Sequence, residues 1–134
     1  MELLAPLAIH LDSEKSRQVL GKALRRLQET WQFNNTEMAT LLRVKPNTYG
    51  YWMKKEELPF QSPPYSAEME LVLVLFSVFR SLGAMFVSAS DQLIWLKSVH
   101  PDFAGESPLD FAKKSSENLF YLKQYLEYVR GRGA

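Results

Sequence analysis

His100 and the acids around it, Asp91, Asp102 and Asp110, come nearest in type and spacing to general acid–base chemistry. An imidazole and a carboxylate relay protons when a fold brings them together. Here His100 precedes Pro101 in a turn-prone stretch, the ordinary setting of a polar loop histidine, and His10 stands alone. There is no cysteine, no His-x-x-x-His pair, no glycine-rich phosphate loop and no serine-nucleophile motif. We expect no enzyme, no metal and no cofactor. A ligand-sensing pocket in the C-terminal part is open but unmarked. What remains suits recognition: a basic segment that can meet an anion, and a run of tyrosines at helical spacing.

Net charge is +1 over 134 residues, but it is unevenly spread. Residues 1–14 carry −3, residues 15–55 carry nine Lys/Arg against Glu29 and Glu37 for +7, and residues 56–134 return to −3. A basic segment between acidic ones is expected where one part of a chain meets an anion and another does not. A solvated basic helix face is the plainer reading. The tyrosines lie near the C-terminus. Leu119, Leu122, Leu126 and Val129 form one helical stripe, and Tyr121, Tyr125 and Tyr128 an adjacent one. Together they cover more of a helix than one packing face needs. The tyrosines either flank the core with wet hydroxyls or lie in a protein interface, where tyrosine is enriched.

The elements that position these residues are helices. Asp12 and Ser13 can cap a helix over about Glu14–Trp31, with Val19, Leu20, Ala23, Leu24, Leu27 and Trp31 as its inner stripe. Asn35 is placed to cap a short helix to about Leu42, and a third begins at Pro46 and fades near Lys55. Lys45 precedes proline and is pushed from helical geometry, while Pro46 suits the first helical position. One helix therefore stops and another starts within a few residues, at the spacing of a helix-turn-helix, with Val44, Thr48, Tyr49 and Trp52 as its apolar set. The stretch 56–66 holds three prolines and reads as a linker. Ser66 caps a nearly all-apolar helix; its VLVLF core also fits a buried strand, but the cap, the length and a stop at Gly83 favour helix. Helices at about Ala89–Lys97, from Ser107-Pro108, and at about Glu117–Arg130 follow. The fold expected is all-α. The apolar run Leu71–Phe76 is too short to span a membrane, and the acidic N-terminus MELLAPLAI does not read as a signal peptide. Cysteine-free composition suits a reducing cytoplasm.

Two stretches carry a resemblance. TEMATLLRVKPNTYGYW resembles the helix-turn-helix of Xre-like proteins, through Ala39, Leu42, Val44, Thr48, Tyr49 and Trp52. It departs at Arg43, where the turn usually has a glycine and a left-handed residue costs about 1 kcal/mol, and at Gly50 inside the second helix. SLGAMFVSASDQLIWLKSVHPDFAGESPLDF, followed by a helix ending LEYVRGRG, resembles the toxin-binding domain of Xre/MbcA/ParS antitoxins. The features are Gly83, Trp95-Leu96, the loop Pro101–Leu109 and Gly131; Phe103 and Ala104 stand where leucine and glycine are usual, and the glycine before the last helix is missing.

The resemblance implies an N-terminal helix-turn-helix module (1–57), a linker (58–66) and a C-terminal toxin-binding module (67–134). It implies operator DNA and a cognate, possibly NAD-consuming, toxin protein as partners. On the DNA side, Lys45, Asn47, Tyr51 and Lys54 would face the groove, and Thr36, Arg43, Lys54 and Lys55 the phosphates. On the toxin side, Tyr121, Tyr125, Tyr128, Arg130 and Arg132 are the candidates. A homodimer is expected, with the helix Ala67–Leu82 either supplying its contact or simply filling the core. Two readings stay open beside the antitoxin: an Xre-type transcriptional regulator without a toxin, and a protein-binding adaptor that no longer touches DNA.

Overall fold

The computed structural model describes residues 10–133, with burial resolved for residues 11–131. The N-terminal MELLAPLAI, the Arg132 side chain and Ala134 lie outside the described residues. Seven α-helices carry the described chain: α1 (Glu14–Trp31), α2 (Asn35–Leu42), α3 (Pro46–Lys55), α4 (Ala67–Met85), α5 (Ala89–Lys97), α6 (Pro108–Lys113) and α7 (Ser116–Gly133). Short 3-10 turns form at His10–Asp12 and Pro101–Phe103. The protein is all-α over these residues, and VLVLF lies within α4. Among the described residues no single helix is long and apolar enough to cross a membrane.

Local chemistry explains where the helices start. The side chains of Ser13, Ser66, Ser88 and Ser107 each accept a hydrogen bond from the amide three residues on, satisfying a donor the helix leaves open. At α2 the cap is Asn34, not Asn35. Its side chain accepts from the Glu37 amide at 2.8 Å while the Glu37 carboxylate accepts from the Asn34 amide at 3.0 Å, a reciprocal capping box. Pro46 and Pro108 open α3 and α6 at the position where no amide hydrogen is needed.

The first three helices end alike. Gln32, Arg43 and Glu56 adopt left-handed backbone conformations, with φ of 57°, 60° and 53°. In each case the left-handed residue and the next one donate to carbonyls of the last turn, as Arg43 and Val44 do to Thr40 and Ala39 at 3.3 and 3.0 Å. The turn between α2 and α3 therefore needs the conformation usually given to glycine, and Arg43 adopts it. By contrast Gly83 does not stop α4, which runs on to Met85.

Two stripes differ from expectation. On α1 the buried residues are Gly21, Leu24, Leu27 and Trp31, whereas Val19 is 55% exposed and Ala23 is exposed. At 3.6 residues per turn these two stand roughly a third of a turn from the buried side. On α3 Thr48 is exposed, and Met53 joins Tyr49 and Trp52 inside.

One hydrophobic cluster runs from Leu24 to Leu126 and includes side chains of all seven helices. α4 lies along α7, and the buried Trp31 Nε1–H donates to Gln92 Oε1 at 3.0 Å, joining α1 to α5. The proline-rich stretch is anchored rather than free. Leu58 and Phe60 are fully buried, and the Leu58 amide donates to the Arg17 carbonyl at 3.2 Å, while residues 61–64 stay exposed.

Candidate functional site

α3 is held by its inner residues. Tyr49 is fully buried and donates its hydroxyl to Gln28 Oε1 at 2.6 Å; burial raises its pKa, and the nearby Arg25 only partly offsets this. Trp52 and Met53 pack beside it. Gly21 of α1 lets the end of α3 approach closely, for a side chain there would collide with the backbone of Glu56 and Glu57.

What α3 leaves outside is polar. Asn47, Thr48, Tyr51, Lys54 and Lys55 are exposed, and helical spacing places them within roughly a third of its circumference. Lys45, also exposed, stands at the N-cap without a side-chain cap bond, so the first-turn amides keep no such partner. The Lys55 ammonium lies 5.2 Å from the centre of the Tyr51 ring, which steadies both side chains. Glu56 and Glu57, the acids at the far end of α3, are paired with Arg25 and Arg17 at 3.1 Å each. Those pairs also remove two cations from the basic excess of residues 15–55.

Arg43 sits differently from the other candidates. Its guanidinium donates to the Lys113 carbonyl at the end of α6, at 2.6 Å. Beside it the Lys113 ammonium pairs with Glu37 at 3.3 Å. Burial pushes the Glu37 pKa up, but the Asn34 amide and the Lys113 charge outweigh it and hold the carboxyl below its ordinary range. Thr36 is exposed on the first turn of α2, and its carbonyl accepts from the Thr40 hydroxyl at 2.9 Å.

A second candidate face surrounds Phe103. This ring is fully buried and contacts Trp95, His100, Phe111, Tyr121 and Tyr125, mostly edge to face, with centroids 4.9–5.9 Å away. The loop that delivers it closes on itself. Ala104 and Gly105 are both left-handed, and the His100 amide donates to the Glu106 carbonyl at 3.0 Å. The aromatic stripe of α7 rests on this loop: Tyr125 donates to Asp102 Oδ2 at 2.9 Å and Tyr121 reaches the Asp102 carbonyl at 3.5 Å. Burial, and then the Asp102 carboxylate, raise the Tyr125 pKa. Tyr121 and Tyr128 remain 43% and 61% exposed, Arg130 is half-buried, and the Arg132 side chain lies outside the described residues.

No protein-family model and no curated protein matches this chain.

The acid–base candidates do not converge. His100 Nδ1 accepts the Asp102 amide at 3.2 Å, a cap for the 3-10 turn, and lies 3.9 Å from the Asp102 carboxylate. Asp91 and Asp110 each occupy the first turn of a separate helix. Among the described residues no three His, Asp or Glu side chains could hold a metal ion together. Two further exposed residues carry no surface signal in the sequence. Thr48 extends the α3 face, and Phe120, 40% exposed, lies next to Tyr121.

Proposed function

We propose that this chain is an antitoxin-type repressor. Its α2–α3 pair acts as a helix-turn-helix on operator DNA, and the α7 face binds a toxin protein. The observation that carries the DNA part is the polar arc of α3: Lys45, Asn47, Thr48, Tyr51, Lys54 and Lys55 stand exposed just after a left-handed turn. A recognition helix needs this arrangement, with buried aromatic residues fixing it from behind. Lys45, Lys54 and Lys55 supply phosphate contacts, and Asn47 is placed to read a base edge. The toxin part rests on exposed Phe120, Tyr121 and Tyr128 and on the resemblance of the Leu82–Gly131 stretch to antitoxins.

A regulator without a toxin is the second reading, and one observation favours it. Tyr125 is tied to Asp102 and stacked near Trp95, an internal role that requires no partner.

The test is binding of the full chain to the DNA upstream of its own gene, by fluorescence anisotropy over a series of salt concentrations. Lys45→Ala and Lys54→Ala should each lower the salt slope by about one, and Asn47→Ala should weaken discrimination between sites. Absence of salt-dependent binding by a folded chain removes the DNA reading. Co-purification from native cells then separates antitoxin from regulator, using Tyr121→Ala and Tyr128→Ala. Deletion of Phe120–Ala134 would be uninformative, because it removes the buried Leu122 and Leu126.

A further inference from the structure

The outward side of α3 is defined partly by what it lacks. From Lys45 to Lys55 the chain holds no arginine and no carboxylate, and Arg43, the arginine nearest in sequence, is bound to the Lys113 carbonyl. Arginine is the usual reader of guanine in a major groove, and Asp or Glu of cytosine. Lysine can also reach guanine, but the three lysines here stand at the two ends of the helix. Lys45 is the N-cap, Lys54 and Lys55 lie in the last turn, and the Lys55 ammonium is 5.2 Å from the centre of the Tyr51 ring. Between those ends the exposed polar side chains are Asn47, Thr48 and Tyr51. Helical geometry sets Tyr51, 59% exposed, in the middle of the outward arc, with Asn47 and Thr48 roughly 40° and 60° to either side. Helical side chains lean toward the N-terminus, so the Tyr51 ring covers the turn that carries the other two. Asn47 and Tyr51 lie roughly 6 Å apart along the axis, about two base-pair steps. Among the described residues the Asn47 amide and the Thr48 hydroxyl have no hydrogen-bond partner.

We propose that α3 reads A·T base pairs. Asn47 bonds N6 and N7 of an adenine, while the Thr48 methyl and the Tyr51 ring pack on thymine methyl groups of that pair and its neighbours. Asparagine suits adenine because its amide accepts from N6 and donates to N7 together, and the thymine methyl is the apolar feature of the major groove. The lysines at either end hold the phosphates and add no base preference. This inference rests on the operator reading above and adds the base pairs that the operator must present to α3.

The experiment selects duplexes from a random library with the full chain, then measures the selected duplex by fluorescence anisotropy. At each enriched position adenine is replaced by 7-deazaadenine, which lacks N7, or thymine by deoxyuridine, which lacks only the methyl group. The parent is compared with Asn47→Ala and Thr48→Ser, circular dichroism confirming each fold. Selection should enrich A·T pairs at adjacent positions. At one of them the deaza base should weaken the parent by about tenfold and Asn47→Ala hardly at all. At another, deoxyuridine should weaken the parent by about fourfold, the worth of one buried methyl group, and leave Thr48→Ser almost unchanged. Salt-dependent binding that enriches G·C pairs or no sequence overturns the inference and leaves the DNA reading intact. So do modified bases that affect parent and variants alike. A folded chain without salt-dependent binding removes both.

Discussion

Gly21 and Glu56 approach so closely that a Cβ on Gly21 would lie 2.6 Å from both the carbonyl carbon and oxygen of Glu56. The colliding atoms are backbone, so no side chain can rotate away, and α1 and α3 must separate to admit a methyl group. Gly21→Ala is expected to destabilise the chain by about 1–3 kcal/mol, the usual range for overpacking. Chemical denaturation measures it, and an unchanged midpoint would show that the contact yields freely.

Gly50 gives the opposite expectation. It lies inside α3, and a Cβ there would meet only Asn35 Nδ2, at an ordinary 3.8 Å. Gly50→Ala removes backbone freedom from the unfolded chain and should stabilise by about 0.5–1 kcal/mol. A higher denaturation midpoint with unchanged slope would be the result.

Acid should weaken the link between α2 and α6 through Glu37. Its folded pKa lies below the ordinary 4.5, so its contribution is present above that pH and is lost as pH falls through the folded value. Glu37→Gln should flatten the acid limb of the stability profile and leave it lower at neutral pH. Equal acid sensitivity in both proteins would assign that limb to other carboxyls.

Base acts on Tyr49 with the reverse sign. Its folded pKa is raised above the ordinary 10.0, so the buried phenol stabilises fully below that pH and the contribution is lost as pH rises beyond it. Tyr49→Phe should be less steep in alkali, and at neutral pH about 0.5–1.5 kcal/mol less stable for the lost bond to Gln28. Urea denaturation at a series of alkaline pH values separates the two effects.

Gln92 offers a test of the contact between α1 and α5. Replacing it with Leu strands the buried Trp31 N–H, at a cost of about 1–3 kcal/mol. If the loss is smaller, as read by thermal denaturation, water reaches the indole.

Much of the helical framework is legible in short polar signals. Ser13, Ser66 and Ser107 announce helices because their hydroxyls bond the chain locally, and Pro46 and Pro108 because their geometry is fixed. The left-handed residue at Arg43 is pointed to by the resemblance of the turn, which usually carries glycine at that place, and not by local chemistry. Contacts between distant segments leave no such mark. Nothing near Gly21 tells that α3 will press on it, and Val19 and Ala23 look like core because apolar spacing does not say which side of α1 meets the rest of the chain. Arg43 reads as a free cation, yet it bonds a carbonyl seventy residues away. The tyrosine stripe is visible in sequence, but its attachment to Asp102 depends on how the loop before α6 closes.

The burial of Leu58 and Phe60 has a consequence for anything that binds both ends of the molecule. A flexible tether lets two ligands search for a workable geometry, and its length sets their effective concentration. Here the chain between α3 and α4 is fastened to the core at two points, so it acts as a spacer of fixed length. A ligand on α3 and a ligand on α7 are presented at one distance and one angle. Whether they coexist is decided by shape, and lengthening the exposed 61–64 segment should not rescue a pair that clashes.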